Sequence, residues 1–182
     1  MHVRETAIPD VLCIEPKVFH DIRGSFLETY HKERYAELGL GPFVQSNVSY
    51  SKQGTLRGLH FQDPNPQGKL VYALVGEIYD VAVDLRPESA TFGKWVAELL
   101  SAENHRQLWV PHGFAHGFCV LSETAVVNYQ CTALYTPNAE QGLRWDDPDL
   151  KIDWPVRYPL LSAKDASAMS WSSYVRERIA SV

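Results

Sequence analysis

Lys69-Leu-Val-Tyr-Ala-Leu-Val75, then Gly76, then Glu77-Ile-Tyr-Asp-Val-Ala-Val-Asp-Leu85 is the stretch that decides the fold. Two runs rich in Val, Leu, Ile and Tyr on either side of one glycine predict two short strands joined by a tight turn. Working outward, runs of the same kind recur at Val11–Ile14, Ser25–Tyr30, Val44–Ser51, Trp95–Leu100, Gln107–Val110, Gly117–Leu121 and Thr124–Thr132, punctuated by Gly, Pro, Asn and Asp. So many short strands at close spacing predict an all-β antiparallel sandwich or barrel. Helical periodicity is confined to His31–Leu38 and to the tail from Ser162 onward, including Ser172–Ile179. These read as short peripheral helices, the first a connector and the tail a cap on the barrel. No internal repeat or linker-like composition shift divides the 182 residues, so residues 1–182 are expected to form one domain, with 166–182 as a C-terminal tail.

Composition narrows the function. Seventeen Lys and Arg against 22 Asp and Glu give a net charge of -5, and no stretch gathers the basic cluster of a nucleic-acid or anionic-membrane surface. Neither partner is expected, and any phosphate must be met by a few placed cations. Cys13, Cys119 and Cys131 are odd in number, lie among apolar neighbours and form no C-x-x-C, which predicts buried thiols in a reducing compartment. Met1-His2-Val3-Arg4-Glu5 has no apolar signal region and no run approaches the ~18 apolar residues of a membrane span, so a cytoplasmic location is expected.

Strand alternation then picks out residues that could carry chemistry. Along Thr124–Thr132 it sets Ala125, Val127, Tyr129 and Cys131 on one face, pointing Tyr129 inward, where a core tyrosine with one hydrogen bond is the plain reading. His60 shares a face with Leu56 and Gly58, where a lone histidine reads as a satisfied core residue. His112 and His116 add two more histidines, and Asp80 and Asp84 fall on one strand face beside Ala82, where buried acids require partners. An interior holding His, Asp, Tyr and Lys69 predicts a polar cleft. Arg23, Arg57 and Lys69 each adjoin a glycine and could together clamp a diphosphate. No G-x-G-x-x-G, Walker loop or G-x-S-x-G occurs, so dinucleotide, P-loop and serine-hydrolase chemistries lack support. A metal site would need His60, His112 and His116 to converge. With no His-x-His pair followed by Glu, neither metal nor cofactor is expected.

Several segments together carry a resemblance. They include Phe19-His-Asp21-Ile-Arg23-Gly24-Ser-Phe26-Leu-Glu28, Gln45-Ser-Asn47, Leu56-Arg57-Gly58-Leu59-His60-Phe61-Gln62 and Gln67-Gly68-Lys69. Asp80-Val-Ala-Val-Asp84-Leu-Arg86, Pro111-His-Gly-Phe-Ala-His116-Gly-Phe and Leu161-Ser-Ala-Lys164-Asp165 continue the series. In this order, from about residue 5 to 166, the sequence resembles the dTDP-4-dehydrorhamnose 3,5-epimerase family of cupin-type enzymes. The resemblance implies a jelly-roll barrel, a homodimer with exchanged N-terminal strands, and no metal. It implies an epimerase that inverts C3 and C5 of dTDP-4-dehydro-6-deoxy-D-glucose through an enolate. The alternatives are an epimerase acting at C3 or C5 only and, from another class, a metal-dependent cupin.

The resemblance also implies roles. His60 is the base, oriented by Asp165, and Tyr129 the acid on the opposite side of the ring. Lys69 and His116 hold the enolate oxygen, and Arg57 the diphosphate. Phe19, Arg23 and Glu28 reach the nucleotide from the partner subunit, while Gln45, Asn47, Tyr135, Glu140 and Lys164 complete the pocket. Val48 and His112 depart from residues common in the family. Because Arg57 and His60 fall on opposite faces of a regular strand, a shared cleft predicts a bulge or twist at Gly58.

Overall fold

The computed structural model describes residues 1–179. Thirteen strands and three short α-helices follow one another along the chain. The strands are β1 (His2–Glu5), β2 (Leu12–Glu15), β3 (Val18–Asp21), β4 (Gly24–Leu27), β5 (Gln45–Lys52), β6 (Leu56–Gln62), β7 (Lys69–Val75), β8 (Glu77–Asp84), β9 (Trp95–Ser101), β10 (Gln107–Val110), β11 (Phe114–Val120), β12 (Thr124–Cys131) and β13 (Glu140–Gly142). The helices are α1 (Lys32–Ala36), α2 (Ala163–Ala166) and α3 (Trp171–Ile179).

Six strands make one sheet in the order β1-β2-β10-β7-β12-β5, five make a second in the order β13-β6-β11-β8-β9, and β3 and β4 form a separate hairpin. Every pairing between these strands is antiparallel. The two large sheets face each other as the expected jelly-roll barrel. Val71, Ala125 and Val127 from one inner face meet Ile78, Ala82, Phe114 and Phe118 from the other in a single buried cluster. Its apolar side chains fill one part of the interior and leave the rest to polar groups.

The outer faces differ. On the five-stranded sheet, Leu56, Leu59, Phe61, Val81, Val83, Ala115 and Cys119 point outward and are buried by Leu150, Trp154 and Tyr174 of the C-terminal segment. The tail, expected as a cap on the barrel, instead lies along this face, because the strands there carry apolar residues on both sides and demand a second layer. Residues 180–182 of the expected tail lie outside the described residues. On the six-stranded sheet, α1 covers Ile14, Leu70 and Trp109 with Tyr35, whose hydroxyl donates to Gln107 Oε1 at 2.7 Å.

The run expected over Ser25–Tyr30 stops as a strand at Leu27, since β4 pairs only with β3. The strand expected from Gly117 starts three residues earlier at Phe114; all of β11 is buried, so no alternation marks its beginning. All three cysteines are buried free thiols. No helix among the described residues is long and apolar enough to cross a membrane.

Candidate active site

The bulge expected at Gly58 is present. His116 faces His60 across the β6–β11 pairing, but Phe118 faces Arg57, so β6 carries one residue more than its neighbour between these pairs. Gly58 sits at φ +118°, and a Cβ there would lie 2.6 Å from Gly117 Cα and 2.7 Å from the His116 carbonyl oxygen. Only glycine fits both the backbone and the space. The extra residue turns Arg57 and His60 to the same side, and both line a cavity of about 410 Å³ between the sheets.

From the facing sheet comes Tyr129, turned inward as the alternation of its strand predicts, together with three further residues. Tyr129 on β12 stands opposite Asn47 on β5 and Val71 on β7, and Cys131 opposite Gln45 and Lys69. Directly opposed residues share a face, so Gln45, Asn47, Lys69 and Tyr129 all turn inward, and all four line the cavity. His60 and Tyr129 therefore approach it from opposite sheets.

His60 Nε2 lies 2.5 Å from Asp165 Oδ1. Asp165 is buried, which pushes its carboxyl up, but hydrogen bonds from His60, from the Ser162 hydroxyl and from the Gly58 amide hold it below the usual carboxylate range. With its proton on Nε2, toward the Asp165 carboxylate, the His60 imidazole presents a lone pair at Nδ1, which has no hydrogen-bond partner among the described residues. The Tyr129 hydroxyl also has no hydrogen-bond partner among the described residues, and burial pushes its pKa up. Burial pushes the Lys69 ammonium down, partly opposed by Cys131, Glu140 and Asp80, and no hydrogen bond holds its Nζ among the described residues. His116 Nε2 is 3.0 Å from both carboxylate oxygens of the fully buried Asp80.

The rest of the wall is tied together. Arg57 Nε donates to Ser51 Oγ at 3.0 Å. Gln45 accepts from the Tyr135 amide at 2.8 Å and donates to Asn47 Oδ1 at 3.1 Å. The Tyr135 hydroxyl donates to Glu140 Oε2 at 2.6 Å, and the Lys164 ammonium is paired with the same oxygen. Asp165, His116, Arg57, Tyr135, Glu140 and Lys164 thus join the four inward residues and His60 around one cavity.

Phe19, Arg23 and Glu28 do not line it. Phe19 and Arg23 border a separate cleft on the β3–β4 hairpin, where Arg23 pairs with Asp21, and Glu28 pairs with Arg34. Within one chain the expected clamp of Arg23, Arg57 and Lys69 is reduced to Arg57 and Lys69. Sequence reading missed Ser49, Gln67, Phe118 and Ser162, which also line the cavity. Ser49 continues the period-two series of Gln45 and Asn47, Phe118 follows His116 by two, and Ser162 precedes Asp165 by the three residues of a helix cap. Those signals could have found them.

Neither departure from the family pattern reaches the cavity. Val48 lies on the exposed face of β5, and His112 lines a distant cleft with Asp10 and Arg86. His60, His112 and His116 therefore do not converge, and among the described residues no group of three or more His, Cys, Asp or Glu is placed to hold a metal ion.

The profile of the family described as dTDP-4-dehydrorhamnose 3,5-epimerase matches residues 5–173. A dTDP-4-dehydrorhamnose 3,5-epimerase from Salmonella typhimurium is 56% identical over 92% of this chain and 94% of its own length. One from Neisseria gonorrhoeae is 52% identical over 94% of this chain, which spans only 53% of that protein. The crystal structure of dTDP-6-deoxy-D-glucose-3,5-epimerase from Legionella pneumophila, in complex with dTDP-4-keto-L-rhamnose, superposes with a TM-score of 0.91 at 50% identity, covering 93% of this chain and 92% of that one.

Proposed function

Since the chain belongs to the dTDP-4-dehydrorhamnose 3,5-epimerase family, we propose that its cavity inverts C3 and C5 of dTDP-4-dehydro-6-deoxy-D-glucose, giving dTDP-4-dehydro-L-rhamnose. The observation that carries this reading is the pair of unpartnered groups on opposite walls, the His60 Nδ1 lone pair and the Tyr129 hydroxyl.

C3 and C5 both flank the C4 ketone, so a proton on either is removable once the electrons of the broken C–H bond can pass to the carbonyl oxygen. His60 takes that proton. The enolate oxygen is met by Lys69, whose burial makes its ammonium a stronger donor, and by His116, which Asp80 holds in place. Tyr129 then delivers its phenolic proton to the same carbon from the other face, which inverts the centre. His60 is left protonated and Tyr129 ionised. Exchange of protons through solvent restores both before the second carbon reacts, so solvent hydrogen enters the sugar at each inversion.

Arg57 meets the diphosphate. Gln45, Asn47, Tyr135, Glu140 and Lys164 surround the remainder of the ligand. Phe19, Arg23 and Glu28 complete the nucleotide site of a second subunit in a homodimer. Support for that assignment is the hairpin itself, which pairs with no other strand and exposes Phe19, Ile22 and Phe26.

Proton NMR of dTDP-4-keto-6-deoxyglucose incubated with the protein in deuterated water tests the reading. Deuterium at both C3 and C5 with an L-configured product is expected. Label at one carbon alone would reassign the chain to the single-centre alternative, and no label at all would remove the enolate chemistry.

A further inference from the structure

Ser162 takes part in no step of that reaction, yet its hydroxyl makes two bonds to one residue. It accepts the Asp165 backbone N–H at 3.1 Å, which is the ordinary task of a helix N-cap, and it donates to Asp165 Oδ2 at 2.9 Å. The second bond is not needed to cap the four residues of α2. We infer that Ser162 is a positioning residue for the base, holding the Asp165 carboxylate in the orientation that leaves Oδ1 for His60 Nε2. The inference rests on the reading of His60 as the base.

Three observations support it. A carboxylate turns about a broad, roughly two-fold torsion, so packing alone fixes its plane poorly, and its hydrogen bonds set it, here those from the Ser162 hydroxyl and the Gly58 amide beside the one to His60. Asp165 is 5% exposed, so its carboxylate takes its hydrogen bonds from protein donors. The peptide leading to Ser162 is also stitched to the start of the strand that bears His60. Leu160 N–H donates to the Gly54 carbonyl at 2.8 Å, and Leu56 N–H to the Leu160 carbonyl at 3.1 Å. Hydroxyl, carboxylate and imidazole therefore share one frame. The other charged groups beside the pair, Lys164 on α2 and Glu140 on β13, are joined to each other rather than to Asp165.

The test separates capping from positioning. Glycine at an N-cap costs only a few tenths of a kcal/mol relative to serine, so Ser162→Gly is expected to melt close to the wild type while losing roughly 10- to 100-fold in kcat, the value of a hydrogen bond to a charged group, with KM changed by less than about twofold. Without the donor, Asp165 becomes more basic and draws the proton onto His60 more strongly, so the acid limb of the kcat/KM profile moves to higher pH. Ser162→Thr, which keeps a hydroxyl, restores both kcat and the limb. Should Ser162→Gly fail to fold, Ser162→Ala provides the second variant: it also removes the hydroxyl, at a larger cap cost of about 0.5–2 kcal/mol, and it is expected to show the same loss of kcat. Wild-type kcat and an unmoved acid limb in either folded variant would overturn the inference. His60→Asn, measured alongside by solvent-deuterium exchange, tells the two failures apart. If that variant exchanges normally, the reading of the base falls. If it is inert while Ser162→Gly is wild type, only the role of Ser162 falls.

Discussion

Tyr129 presents its hydroxyl to the cavity without a protein acceptor, which separates its chemistry from its packing. Tyr129→Phe keeps the ring against the core cluster and removes no protein hydrogen bond, so stability should change by less than the ~0.5–1.5 kcal/mol of a typical bond. Solvent deuterium should still enter the sugar, because His60 can remove and return a proton on its own face, but L-configured product should be scarce. Wild-type yield of that product would give the far face to another donor. The inward direction of Tyr129 was legible in the sequence because β12 alternates regularly. Asp165 was not legible in that way. It lies 105 residues from His60, no periodicity links the two, and only the family resemblance brought them together. Nor did the sequence indicate that Asp80 is the partner of His116; the alternation showed merely that a buried acid on β8 required one.

On the scale of the element, β6 is the strand that a regular period misreads. Its residues 57 and 60 belong to opposite faces until one extra residue intervenes, and the need for an irregularity at Gly58 could be stated from sequence although its form could not. Gly58→Ala should be among the most damaging single substitutions in the chain. The added Cβ meets the backbone of β11 rather than a flexible side chain, and φ is +118°, so a loss of about 2–4 kcal/mol in denaturant unfolding is expected. In whatever folded fraction remains, deuterium exchange should fall with it, since relief of the clash requires β6 to shift and carries His60 along. Full exchange in a stable Gly58→Ala protein would show that the bulge does not position the base. Elsewhere, the strand over Lys69–Val75 was legible to the residue, because a glycine and a proline-rich loop bound it. β1 and β3 were not, because four residues of mixed character give too little pattern; they are strands through their pairing with β2 and β4. The path of the C-terminal segment was hidden for a different reason. Which side of a doubly apolar strand faces the interior is decided only when both sheets are assembled.

For the whole molecule, the proposed homodimer makes a prediction that one chain alone cannot satisfy. Deleting residues 1–30 would be a poor test, because β2 is hydrogen-bonded inside the six-stranded sheet and buries Cys13 and Ile14. Two point variants serve better. His60→Asn removes the base and Arg23→Ala removes the hairpin cation, and each alone should be inactive or nearly so. If Arg23 serves the neighbouring cavity, mixing and re-equilibrating the two chains creates hybrid dimers with one intact site, and roughly a quarter of wild-type activity should return. No recovery would mean that each chain serves itself. The barrel interior has a further consequence, which concerns the tolerance of the empty protein. A half-buried ammonium at Lys69 with no hydrogen-bond partner among the described residues, held ready for an oxygen that carries negative charge only for the lifetime of an enolate, makes the free barrel less stable than a plain apolar filling would. Lys69→Met, similar in length and without charge, should raise Tm by about 2–6 °C while abolishing turnover. A lower Tm would show that Lys69 supports the unliganded fold. The chain is thus expected to stop short of the thermal resistance its own scaffold could reach, and a thermostability screen without an activity readout would select against the residue that makes it an enzyme.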